Sequence, residues 1–237
     1  MELTPDQIVF WKWGAITLNA TIVFGLVVDA ILVVASFVIT RNLTAGVQIS
    51  RGQNILEVVV VYIRDQIREI TGGDPDRLLP FVGTLFLYIA MANALTIVPF
   101  YQPPTASLSS AAALALCVFL AVPYFGIAEL GFKEYFARYV EPSPLMLPFN
   151  VIGEISRTMA LAIRLFGNLM SGSLIVAILV AISPFLFPIV MRAFGLLTGL
   201  IQAYIFAVLA TVYIASATQA RQGGDDTEAD MQPDGAA

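Results

Sequence analysis

Apolar residues fall in long unbroken runs along this chain, and polar residues collect between them. Crossing about 30 Å of hydrocarbon takes roughly 20 helical residues. Five runs reach that length: 15–40, 79–98, 108–128, 149–183 and 189–220. The first follows Trp11-Lys12-Trp13, which suits a membrane–water interface; the second ends at Pro99; Pro184 and Pro188 divide the last two. Residues 51–71 read differently. There Arg64, Asp65, Arg68 and Glu69 are mixed with Ile55, Val58, Val59, Tyr62 and Ile63, the pattern of an amphipathic helix lying on the membrane surface. The pattern predicts an all-α polytopic membrane protein with five membrane-embedded segments and one interfacial helix. Its single membrane domain covers 1–220 and closes with a long helix hairpin, 149–183 against 189–220; a disordered acidic tail, 221–237, follows.

Hydrophobic residues make up 58% of the chain and charged residues 12%, so most charges are left to the loops. The net charge of −5 owes much to Asp225, Asp226, Glu228, Asp230 and Asp234 of the tail. The lone cysteine, Cys117, lies in an apolar run, which leaves no disulfide framework and no thiolate metal site. With no histidine, the usual proton shuttle and metal ligand are missing too. The sequence shows no phosphate loop, no Ser/His/Asp set, no internal repeat and no stretch fit for nucleic acid, so neither a cofactor nor a metal is expected. The beginning of the chain lacks a cleavable signal pattern and a basic transit segment, which points to a bacterial-type cell inner membrane. Arg41, Arg51, Arg64, Arg68 and Arg77 in the first loop, and Lys133 and Arg138 after the third run, put those loops inside. The N-terminus is then outside and the C-terminus cytoplasmic.

The last two runs are too long to stand upright. As one helix, 149–183 would extend roughly 50 Å at about 1.5 Å per residue, so it either tilts by roughly 55° or splits into a surface helix over 149–159 and an ordinary span. Length alone leaves both open.

Arg164 lies inside this run, and a guanidinium stays charged at any physiological pH. Placing arginine at the bilayer centre costs about 2.5 kcal/mol at the least and over 10 by some measures. It therefore calls for a negative partner. Glu154 is about 15 Å away by helical rise, and Asp29 sits in the first run; neither is spaced to pair with Arg164 along a helix surface. Asn168 is one turn from Arg164 and shares its face with Leu161, Ser171 and Gly172. Gln202 is the better candidate to face Arg164, while Tyr204 is as well explained by packing. Arg157 and Glu154 are three apart and placed to pair near the inside surface. Arg192, close after Pro188, reads as snorkelling to the outside surface or as lining an aqueous entry. Asp29 is costly in a span and has no nameable partner.

Two segments carry a resemblance: Arg164-Leu165-Phe166-Gly167-Asn168 with small residues after it, and Leu200-Ile201-Gln202-Ala203-Tyr204-Ile205-Phe206. Together with Pro104-Thr105-Ala106 and Ser156-Arg157, they resemble subunit a of the rotary F-type ATP synthase, over about residues 10–220. The resemblance implies a non-catalytic membrane subunit beside a ring of c subunits, each with a mid-membrane carboxylate, together with b-type peripheral stalk subunits. It implies two offset aqueous half-channels for protons or sodium ions, kept apart by Arg164, with Asn168 and Gln202 beside it. Ser173, Tyr204, Glu154, Arg192, Ser171 and Asn150 are the candidates for lining them. The chain departs from the common pattern: Ser173 and Gly195 stand where many relatives carry an acidic or histidine pair, Ser107 and Ser109 replace the usual Asp and Asn, and Asn150 replaces a glutamate. These features resemble the N-type, sodium-linked branch. The rival reading is a stand-alone secondary transporter that binds an anionic substrate at Arg164.

Overall fold

The computed structural model describes residues 9–13, 16–41, 51–98, 101–140, 145–182 and 186–218. The acidic tail, Pro99 and Pro184 lie outside the described residues. An antiparallel hairpin, β1 (Val9–Trp13) and β2 (Ile16–Asn19), precedes seven helices: α1 (Ala20–Arg41), α2 (Arg51–Thr71), α3 (Leu79–Ala94), α4 (Leu108–Leu130), α5 (Phe132–Val140), α6 (Met146–Ile182) and α7 (Leu186–Thr218). Among the described residues five helices are long and apolar enough to cross a membrane: α1, α3 with the 3-10 turn after it, α4, α6 and α7.

Three boundaries differ from the hydropathy reading. The first helix begins at Ala20, because residues 16–19 pair with β1. α7 begins at Leu186, ahead of Pro188; a proline in the first turn removes an N–H that has no helical acceptor. The connection after the third span holds α5, whose Tyr135 is buried against α4. The question left open by length is also answered: α6 runs unbroken through 37 residues.

Local chemistry sets the turns. Gly72 (φ 64°) ends α2 and Gly131 (φ 85°) ends α4; both adopt the left-handed backbone region that a side chain strains, and each N–H bonds back to a helix carbonyl at 2.9 Å. Asp74 caps the 3-10 turn Pro75–Arg77 by accepting from the Asp76 N–H, and Arg64 of α2 is tied to Asp76 at 2.9 Å. Ser107 caps α4, accepting from the Ser109 N–H at 3.2 Å. Pro123 lies within α4, where the rest of the helix carries it.

α7 is the hub, packing against α3, α4, α6 and the amphipathic α2. One core joins Leu85 and Ile89 of α3, Ala111 and Ala115 of α4, Leu161 and Leu165 of α6, and Ala203 and Phe206 of α7. The alanines let backbones approach closely, which matters where lipid tails are as apolar as leucine and packing must drive association. A second core seats Ile63 and Ile67 of α2 on Ala207 and Ile214 of α7. α6 is the contrast. Leu161 and Leu165 are buried, but Ile152, Ile155, Met159, Ile163, Ile175 and Ile178 are exposed along its other side.

A methyl group on Gly126 would meet Tyr135 Cε2 at 2.5 Å and Cδ2 at 2.8 Å. Alanine gains about 0.5–1 kcal/mol of helix propensity over glycine, but overpacking costs about 1–3 kcal/mol. Gly126→Ala should therefore lower the melting temperature of the purified chain in micelles, and Tyr135→Ala in the same chain should recover part of it.

Candidate functional site

Two cavities flank the α6–α7 pair at opposite ends. One, of about 320 Å³, opens where the start of α6 meets the end of α7; its wall includes Asn150, Glu154, Arg157, Tyr213 and Tyr135. The other, of about 310 Å³, lies where the end of α6 meets the start of α7, walled by Asn93, Tyr101, Asn168, Ser173, Arg192 and Gly195 among others. On α6 the nearest wall residues are Thr158 and Asn168, separated by roughly 15 Å of helical rise. Leu161 and Leu165, with Ala203 and Phe206 opposite, fill the space between and are 0–1% exposed. The two spaces lie at opposite ends of the hairpin and are separated by an apolar seal.

Arg164 stands at the level of that seal and lines neither cavity. Its side chain is exposed, on a helix whose Met159 and Ile163 are exposed as well. Among the described residues the guanidinium has no ion pair and no hydrogen bond. Gln202 goes the other way. It is 6% exposed, and its amide nitrogen has no acceptor among the described residues. Among the described residues no hydrogen bond joins Arg164 and Gln202; one is exposed and the other buried.

Neutral amides hold the hairpin together beside Gln202. Asn168 Nδ2 donates to the Thr198 carbonyl at 3.4 Å, and Asn93 Nδ2 donates to the carbonyls of Ile89 (2.8 Å) and Gly199 (3.1 Å). Gln202 lies one turn beyond Thr198 and Gly199, at an angle between them. That places it between the directions of α6 and α3. Asn93 is buried and its Oδ1 lacks a donor, as Gln202 lacks an acceptor. Water fits such a polar, partly satisfied site.

At the far wall, burial first and Tyr88 second push the Tyr101 hydroxyl well above the ordinary tyrosine range, so it stays neutral. Ser173 Oγ donates to the Met170 carbonyl, and Arg192 borders the same space. At the near wall, the Arg157 guanidinium lies 5.8 Å from the Tyr213 ring centroid.

Two expected lining residues line neither large cavity. The Tyr204 hydroxyl donates to Gln66 Oε1 at 2.7 Å and its ring sits beside Tyr62, so it anchors α2 to α7. Ser171 is exposed, its hydroxyl turned back to the Asn168 carbonyl at 3.1 Å. Sequence reasoning missed Asn93, a polar residue inside the apolar run 79–98. It also missed Tyr101 and Tyr135, which only tertiary packing brings to the cavities.

The sequence profile described as ATP synthase A chain matches residues 22–215. Among curated proteins, the chain is 55% identical over 231 residues to ATP synthase subunit a 2 of Acaryochloris marina, covering 98% of this chain and 99% of that one. It is 57% identical to ATP synthase subunit a of Albidiferax ferrireducens and 58% identical to ATP synthase subunit a 1 of Crocosphaera subtropica, each over 222 residues that cover 94% of this chain and 96% of the relative.

A Cβ on Gly199 would lie 2.6 Å from Asn93 Oδ1 and 2.7 Å from its Cγ. Gly199→Ala should displace that amide and cost about 1–3 kcal/mol. In a double-mutant cycle read by denaturant unfolding in micelles, Asn93→Ala should be far less harmful in the Gly199→Ala chain than in the wild type.

Proposed function

Because the chain belongs to the family of F-type ATP synthase subunit a, a non-catalytic membrane subunit that takes part in ion translocation, we propose that it is the stator of a rotary motor, with its two cavities as ion half-channels and Arg164 as the charge between them. One observation carries this reading: a permanent cation, on an exposed apolar face, at the level where two cavities with polar groups in their walls are sealed from each other, with no partner among the described residues.

The missing anion is then a carboxylate on a ring of c subunits, held beside the stator by b-type stalk subunits. A rotor carboxylate must be neutralised by a proton or sodium ion before it faces lipid, since a bare charge there is costly. Near Arg164 the attraction favours the ionised form, so the ion leaves into the adjoining half-channel. The same fixed charge repels cations that would run straight from one cavity to the other. In this reading the Glu154 cavity opens to the cytoplasmic side of a bacterial inner membrane and the Ser173 cavity to the outer side, an orientation that the Lys/Arg-rich loops support. The unbroken length of α6 supports a steep tilt across the rotor's flank. Each elementary charge moved through 100 mV yields about 2.3 kcal/mol to bias rotation.

Asn168 and Gln202 serve as neutral polar groups at the inner end of the outer path, Ser173 and Arg192 line its wall, and Asn150 and Glu154 line the inner one. The described wall of the outer cavity carries no carboxylate, so the ion travels with water rather than along a side-chain relay.

In vesicles holding the complete complex, Arg164→Lys should lower ATP-driven ion pumping by more than about tenfold, because a flexible, strongly hydrated ammonium does not reproduce the guanidinium fork. Wild-type pumping in that variant would end the proposal. Running the assay in sodium-free and sodium-containing buffer with an uncoupler identifies the ion.

A further inference from the structure

Asp29 is the charge that the preceding mechanism does not use. It lies near the middle of α1, about 13 Å along the helix from Ala20 and about 18 Å from Arg41. Aspartate has a short side chain and cannot reach either membrane surface from there, as lysine or arginine would by snorkelling. Its side chain is exposed, and no Lys or Arg among the described residues pairs with it. A bare carboxylate facing lipid is costly. A cation from elsewhere removes that cost.

The surrounding surface has a definite shape. α1 packs on the rest of the chain through Ala20, Thr21 and Val28, with Gly25 close to the Tyr88 hydroxyl and to Pro104. The other flank carries Ile22, Leu26, Asp29, Val33, Ser36 and Thr40, all exposed. Their spacing alternates four and three, the seam by which one helix packs at a shallow angle along another. A single polar residue in such a seam fixes register and partner, and here that residue is an anion.

We infer that this flank of α1 docks a membrane-spanning helix of another subunit, and that a Lys or Arg of that helix pairs with Asp29 at mid-membrane. The pair specifies the depth and partner of the contact. The inference does not rest on Arg164: pumping by Arg164 variants tests the ion path, whereas assembly tests this contact.

The test uses the full chain in its own complex and membranes, with a benzophenone amino acid placed at Val33 on the seam or at Val38 on the far flank. Val33 should crosslink to one membrane-spanning peptide bearing Lys or Arg within a turn of the adduct, while Val38 labels lipid. Asp29→Leu should cut recovery of that partner with the chain by about tenfold or more, Asp29→Glu should retain most of it, and exchanging the two charges should restore it. Lipid adducts alone at Val33, a crosslinked helix without a cation, or undiminished recovery with Asp29→Leu would overturn the inference. Because the Val33 probe leaves Asp29 in place, the crosslink decides even if an Asp29 variant fails to accumulate.

Discussion

An arginine that can neither lose its proton nor find a counter-charge among the described residues constrains everything around it. Arg164 is excluded from the core because Leu161 and Leu165, its neighbours on α6, are the residues that close the interior against Ala203 and Phe206. It is equally ill suited to lipid. What remains is a place on the surface, the one the proposed rotor would cover, and the exposed isoleucines along α6 are its apolar part. The polar cavities matter because of where they stop: each ends at the seal, and the cation stands just outside it.

The rest of the molecule can be understood as support for that seal. α7 is held from three sides by α3, α4 and α6, and α2 adds a fourth contact through Ile63, Ile67 and the Gln66–Tyr204 hydrogen bond. Small residues and buried amides do this work: Asn93 seated on Gly199, Asn168 on the Thr198 carbonyl, and alanines along α4. An amide can be buried at modest cost once its hydrogen bonds are made, whereas a charge in the same place would need a partner.

Much of the architecture was legible in the sequence because a membrane simplifies the code: a run of about 20 apolar residues has few alternatives to a helix. Hydropathy erred where it had no voice. It ran the first span into β2, since strand and helix are equally apolar over four residues, and it started the last helix after Pro188 when proline is at home in a first turn. Amphipathicity was visible in α2 but was overlooked in α5, which is too short to show several turns. At the site, the anomalous charge was readable, since arginine in an apolar run needs explanation whatever the fold. The linings were less so. Asn150 and Ser173 came from matching positions to a family pattern and Arg192 from its place just after Pro188, whereas Tyr204 turned to Gln66 of α2 and Ser171 back to the Asn168 carbonyl of its own helix.

The continuity of α6 has a mechanical consequence. A single 37-residue rod forms part of the wall of both cavities and is gripped near its centre by Leu161 and Leu165. A stiff lever held at its fulcrum moves its two ends in opposite senses, so a tilt that widens one vestibule narrows the other. Tilting of α6 alone therefore cannot widen both at once.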